Sequence, residues 1–110
     1  MSYRIALATS DRIVVNRHFG HADGFLIVEA EDQEDRVVEY REVSPACDGG
    51  THREASLYDV IRLLADCRYV AASRIGPGAR STLIEVGLTP VEDADLITHV
   101  VDRIRQRAQG

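Results

Sequence analysis

Lysine and tryptophan are absent from this chain, and cysteine occurs only twice, as Cys47 and Cys67. Each scarcity closes off a class of protein. Two cysteines allow one disulfide at most, which excludes a disulfide-stapled scaffold and points to a cytoplasmic protein with reduced thiols. They are also too few to house an iron–sulfur cluster permanently through thiolates alone. No C-x₂₋₄-C knuckle is present, so the common form of structural zinc site is excluded. No apolar run approaches the roughly 20 residues of a membrane span, and the stretch from Ile5 to Ala8 is too short for the core of a signal peptide. The net charge of −5 leaves no general basic face for nucleic acid.

What the chain does have is material for one compact domain over residues 1–110. Its charged residues are interspersed with Val, Ile, Leu and Ala rather than gathered in blocks, which argues against disorder. All thirteen basic residues are Arg, whose planar fork of donors suits polydentate anions. Arg12, Arg17, Arg53, Arg74 and Arg80 stand near the polar loops that interrupt the apolar segments.

Those segments read as alternating elements. Tyr3 to Thr9 is nearly continuously apolar and predicts a buried strand. Gly24 to Ala30 is a second strand, joined by the acidic turn Glu31 to Asp35 to an alternating third, Arg36 to Val43. Thr51 to Asp66 predicts a helix with Leu57, Ile61 and Leu64 on its apolar face, opened by a Thr51–Glu54 capping box. Arg68 to Ser73 is a fourth strand, Ala79 to Val86 a second helix closed by Gly87, and Leu88 to Val91 a fifth strand. Ala94 to Ala108 predicts the last helix, with Leu96, Ile97, Val100, Val101 and Ile104 buried. The fold class is therefore α/β, a five-stranded mixed sheet in the order 3-2-1-4-5 with strand two antiparallel and three helices on its faces. In that topology the loops after strands one, three and four open at one edge, where open α/β sheets hold ligands.

The chain's coordinating residues fall in those loops. His18-Phe19-Gly20-His21 lies in the first, and Cys47-Asp48-Gly49-Gly50-Thr51-His52 in the second. Imidazole suits Zn, Cu, Fe and Ni, and Gly20 lets backbone approach a bulky ligand. An H-x-x-H pair alone is a common polar turn. The Gly49-Gly50 step beside a helix start would expose backbone N–H groups and favour a thiolate at Cys47, although a capping loop with an incidental Cys reads the same way. Cys and His on Gly-rich loops suit something large with a few free coordination positions. Gly76-Pro77-Gly78 lacks the third glycine of a dinucleotide fingerprint and reads as a tight strand-to-helix turn. Cys67 reads as buried filler and His99 as a surface residue.

The segments RIALATSD, NRHFGHADGFLIVE, ACDGGTH and DCRYVAASRIGPGARSTLIEVGLTPVE, taken in order, resemble the dinitrogenase iron–molybdenum cofactor biosynthesis family. This is the domain of NifX, of the NafY core and of the C-terminal part of NifB. The resemblance implies a ribonuclease-H-like fold and a non-enzymatic carrier or chaperone. Its cargo would be an iron–sulfur cofactor, the iron–molybdenum cofactor or its precursor, bound transiently. Donor and acceptor would be cofactor-assembly proteins and apo-nitrogenase. Carried over residue by residue, the cofactor candidates are His18, His21, Cys47 and His52, with His18 and Cys47 first as metal ligands. Arg17, Arg53 and Arg74 would offset the cluster's charge. The chain has no C-x₃-C-x₂-C motif of a radical-SAM enzyme and reads as a stand-alone NifX-like module. Two other readings stay open: a mononuclear metal or small-anion sensor outside nitrogen fixation, and a nuclease-like hydrolase.

Overall fold

The computed structural model describes residues 2–43 and 53–109, leaving aside the side chains of 53–56. Its strands are β1 (Tyr3–Ala8), β2 (Gly24–Ala30), β3 (Asp35–Glu42), β4 (Tyr69–Ala72) and β5 (Thr89–Glu92). They form one sheet in the order β3-β2-β1-β4-β5. The β1–β2 and β2–β3 pairs are antiparallel, the β1–β4 and β4–β5 pairs parallel. This is the predicted order and sense. A bulge between Ile27 and Val28 shifts the register of the β2–β3 hairpin, giving the edge strand extra twist. Glu31 N–H bonds to Glu34 carbonyl at 2.7 Å and closes the acidic turn.

The helices are α1 (Arg53–Leu63), α2 (Pro77–Glu85) and α3 (Ile97–Gln109). Side chains alternate along each strand, so β1 feeds two cores at once. Ala6 and Ala8 face a cluster with Val60 and Ile61 of α1, Leu64 just beyond its end, and Leu83 of α2. Ile5 and Leu7 face Val100, Val101 and Ile104 of α3 on the other side. Being covered on both faces is why β1 and β4 are almost wholly apolar. No helix among the described residues is long and apolar enough to cross a membrane.

Most boundaries fall within a residue of the sequence expectation, and three helix ends differ by more. Helix α2 begins two residues early, because Pro77 occupies its first position with φ already preset. Helix α1 ends at Leu63, where Arg41 of β3 donates to the Leu63 carbonyl at 2.7 Å. The start of α3 is delayed to Ile97, since residues before it pair with the loop after β1: Val15 N–H bonds to Asp95 carbonyl at 2.9 Å and Val14 bridges Leu96. Leu96, expected in the buried stripe, is consequently 40% exposed. Thr51, the expected cap of α1, lies outside the described residues. Cys67 is buried as expected, and burial pushes its thiol up to about 12, so it is an inert filler. His99 is exposed and lies 3.3 Å from Asp95.

Arg41 also grips Asp66 through two contacts of 2.7 Å, and Arg4 reaches the same carboxylate at 2.8 Å. These guanidinium groups hold the Asp66 carboxyl well below its ordinary 3.8. A depressed carboxylate favours the fold above its unfolded pKa and loses that contribution as pH falls through the folded value. Thermal stability is therefore expected to decline below roughly pH 4, and Asp66→Asn to flatten that decline while lowering the melting temperature at neutral pH by about 5 °C. Melting curves from pH 7 to pH 2 check this; parallel curves for the two proteins would refute the assignment.

Candidate functional site

The loop after β1 is built as a rigid ramp. Thr9, a fully buried polar residue, donates its hydroxyl to Asp11 Oδ1 at 3.1 Å and accepts the Arg12 N–H at 3.0 Å. The same Asp11 oxygen accepts the N–H groups of Ile13 and Val14 at 2.9 and 3.0 Å. Those backbone donors hold its carboxyl below the usual range. This is the side-chain-to-backbone turn that Asp after a strand is suited to form. It turns Arg12 into the left-handed region (φ 64°), where its guanidinium lies over the Tyr40 ring at 4.4 Å. Asn16 closes the ramp by bonding Ser10 twice, at 3.0 Å each.

Beyond Asn16 the chain runs alongside the loop after β4. Ser73 N–H bonds to Arg17 carbonyl at 2.9 Å, and Phe19 N–H to Arg74 carbonyl at 2.8 Å. His18 and Arg74 thus form a parallel bridge. Phe19, Gly20 and His21 then make a single 3-10 turn, closed by His21 N–H on His18 carbonyl at 3.1 Å. Its anchor is Phe19, buried against Phe25 of β2 with ring centroids 5.8 Å apart. With Phe19 pointing inward, His18 and His21 are left exposed, their rings 6.0 Å apart in an edge-on arrangement. Among the described residues, a Cβ on Gly20 would meet nothing within 4 Å, so the turn is uncrowded at that point.

The first loop therefore brings together three of the residues singled out from sequence, His18, His21 and Arg74, and Arg17 is next to them. Arg17 and Arg74 are exposed, Arg17 at 4.0 Å from Asp23. Arg53 opens α1, and its side chain is not among those described. Cys47 and His52 lie outside the described residues. Among the described residues, no three His, Cys, Asp or Glu side chains converge as a closed metal site. An exposed pair of imidazoles, on backbone that pairs with Arg74 and follows Arg17, is instead an open coordinating surface. It suits an anionic, metal-containing cargo that brings most of its own ligands.

Beside the turn lies a polar cleft of about 630 Å³, lined by Ser10, Arg12, Asp23, Tyr40, Glu42 and Val43. Its lining carries two carboxylates, Asp23 and Glu42, and one guanidinium, Arg12. Tyr40 and Glu92 are site-shaping residues that the sequence reading passed over, and Asp11 reads there only as part of a turn. Only Asp11, in the Thr-Ser-Asp sequence ending a strand, carried a local signal.

The family model described as "Dinitrogenase iron-molybdenum cofactor" matches residues 1–107. The chain belongs to that family. Within the curated proteins it is 43% identical over 106 residues to the FeMo cofactor biosynthesis protein NifB of Frankia alni, covering 94% of this chain and 21% of that one. The NifB proteins of Herbaspirillum seropedicae and Azotobacter vinelandii are each 37% identical, over 92 and 89 residues, covering 84% and 78% of this chain and 18% of each of theirs. This family member thus spans about a fifth of the length of those relatives. In fold it is similar to the apo orange protein of Desulfovibrio gigas, with a TM-score of 0.65, 20% identity and coverage of 94% of this chain and 88% of that one. A putative NifB protein from Thermotoga superposes with a TM-score of 0.59 at 21% identity, with the same coverages.

Proposed function

We propose that this domain is a small cytoplasmic, non-catalytic carrier in nitrogenase cofactor assembly. Its cargo is an iron–sulfur cofactor, the iron–molybdenum cofactor or a precursor, taken from an assembly protein and released to a downstream partner, ultimately apo-nitrogenase. The observation that carries the reading is the turn at His18–His21. Two imidazoles stand exposed on backbone pinned at both ends, with Arg17 and Arg74 alongside, in a chain of a family defined by this cofactor. The five-stranded sheet with this order and its flanking helices supports the ribonuclease-H-like reading of the fold.

A carrier must bind well enough to protect its cargo and loosely enough to surrender it. Few protein ligands on an open surface meet both needs, whereas a closed four-ligand cage would retain the cluster. His18 and His21 supply nitrogen ligands, Cys47 and His52 are the further candidates, and Arg17, Arg53 and Arg74 balance negative charge.

Anaerobic titration with a preassembled [4Fe–4S] cluster carrying exchangeable small thiolate ligands tests this. Native protein is expected to take up the cluster with a visible charge-transfer band. His18→Ala and Cys47→Ser should each weaken uptake about tenfold. Unchanged affinity in both variants would sink the site, and a single bound metal ion without sulfide would favour the sensor reading instead.

A further inference from the structure

The loop after β4 has neighbours on both sides, and the side away from the histidines is held by a carboxylate. Glu92 ends β5, where the strand's own backbone pairing stops at the Ala72–Glu92 register. Its Oε2 accepts the Ile75 N–H at 2.8 Å, while Oε1 lies 3.8 Å from Arg80 Nη2 at the start of α2. The side chain thus supplies an acceptor to Ile75, beyond the end of the ladder. Ile75 is itself buried, in the same apolar cluster as Phe19. One residue before it, the Arg74 carbonyl holds the Phe19 N–H, and one before that, the Ser73 N–H holds the Arg17 carbonyl. Residues 73–75 therefore form a short rail, fastened to Glu92 at one end and carrying the backbone on either side of His18.

We propose that Glu92 is a positioning residue for the His18–His21 turn, acting through Ile75 and Arg74 and not by contact with the cargo. The inference rests on the carrier reading of that same edge and adds a specific element to it. The rail sets where the His18 imidazole can stand. Without the acceptor at Ile75, a buried residue's N–H loses its partner and the rail is free to rotate, taking the Arg74 carbonyl away from Phe19. Arg80 adds a long ion pair to the other carboxylate oxygen. Gln in place of Glu retains an acceptor oxygen for Ile75 and gives up only the ion pair with Arg80. Because that pair is long and about two-fifths exposed at both ends, its loss is a minor one.

Two measurements on the full chain decide the matter. Amide hydrogen exchange is read at Ile75 and Phe19 in native protein, Glu92→Ala and Glu92→Gln. Glu92→Ala is expected to speed exchange about tenfold at both amides, and Glu92→Gln to restore both. Faster exchange at Ile75 with Phe19 unchanged would overturn the proposal, because Glu92 would then fasten its own loop alone. Uptake of the same [4Fe–4S] probe is read in parallel: Glu92→Ala should weaken it about fivefold in native background and add little in His18→Ala, since both act on one ligand. Full additivity of the two substitutions would also overturn it. Should His18→Ala and Cys47→Ser both leave uptake untouched, the carrier site itself fails, and exchange at Phe19 still decides whether Glu92 sets the turn.

Discussion

Gly24→Ala is expected to lower the melting temperature by about 10 °C, a large effect for one methyl group on a strand. Gly24 opens β2, and the phenol of Tyr40 from the neighbouring strand crosses over it. A Cβ at that position would coincide with the Tyr40 hydroxyl and ring carbons. Tyr40 is not free to move aside, because its hydroxyl donates to Thr9 carbonyl at 2.8 Å and its ring carries Arg12 at 4.4 Å. The methyl must displace the ring, break the bond to Thr9 and release the beginning of the ramp that leads to His18. Overpacking of this kind costs about 2–3 kcal/mol. The double variant Gly24→Ala/Tyr40→Ala should be less destabilised than the sum of the singles, which thermal melts of all four proteins measure. Additive losses would mean that the two residues do not share the space.

Phe25→Ala is the second large effect, about 3–5 kcal/mol for a fully buried aromatic. It removes the ring against which Phe19 rests, so stability and site geometry should fail together. Because that variant approaches the whole stability of a small domain, Phe25→Leu serves as the readable substitute. It keeps most of the volume and gives up the ring–ring contact. Val100→Ala, a fully buried change in the opposite core beneath α3, is the control of comparable cost. Cluster uptake should fall in Phe25→Leu and hold in Val100→Ala. Equal uptake in the two would separate the core under the turn from the function of the turn.

The architecture was largely legible in the sequence because apolar periodicity reports burial directly. β1, β2 and β4, covered on both faces, read as continuous apolar runs, and the acidic turn at residues 31–34 marked the hairpin. Local pattern was blind where tertiary pairing decides. Residues 94–96 have helical character, yet their pairing with the loop after β1 keeps them out of the helix and leaves Leu96 partly exposed. The convergence of His18 with Arg74 followed from topology alone, since parallel neighbours bring their carboxyl-end loops side by side. What could not be read was how the turn is held. Tyr40 over Gly24 and Glu92 beneath Ile75 are contacts between distant segments, and neither residue has a pattern around it that announces them. Cys47 and His52 lie outside the described residues, as does the Arg53 side chain, so their roles are proposals from the sequence.

The bonds that pin the turn also set when in the chain's life it can exist. Arg17 and Phe19 are made early, but their partners Ser73 and Arg74 come only after the hairpin, α1 and β4. Pairing across so long a closed loop is a late and slow event in folding. A nascent or partly folded chain thus has the histidines without the rail that presents them. In the carrier reading, competence to receive cargo would require that β1 and β4 have paired, so that a labile cluster is not offered to an unfinished protein.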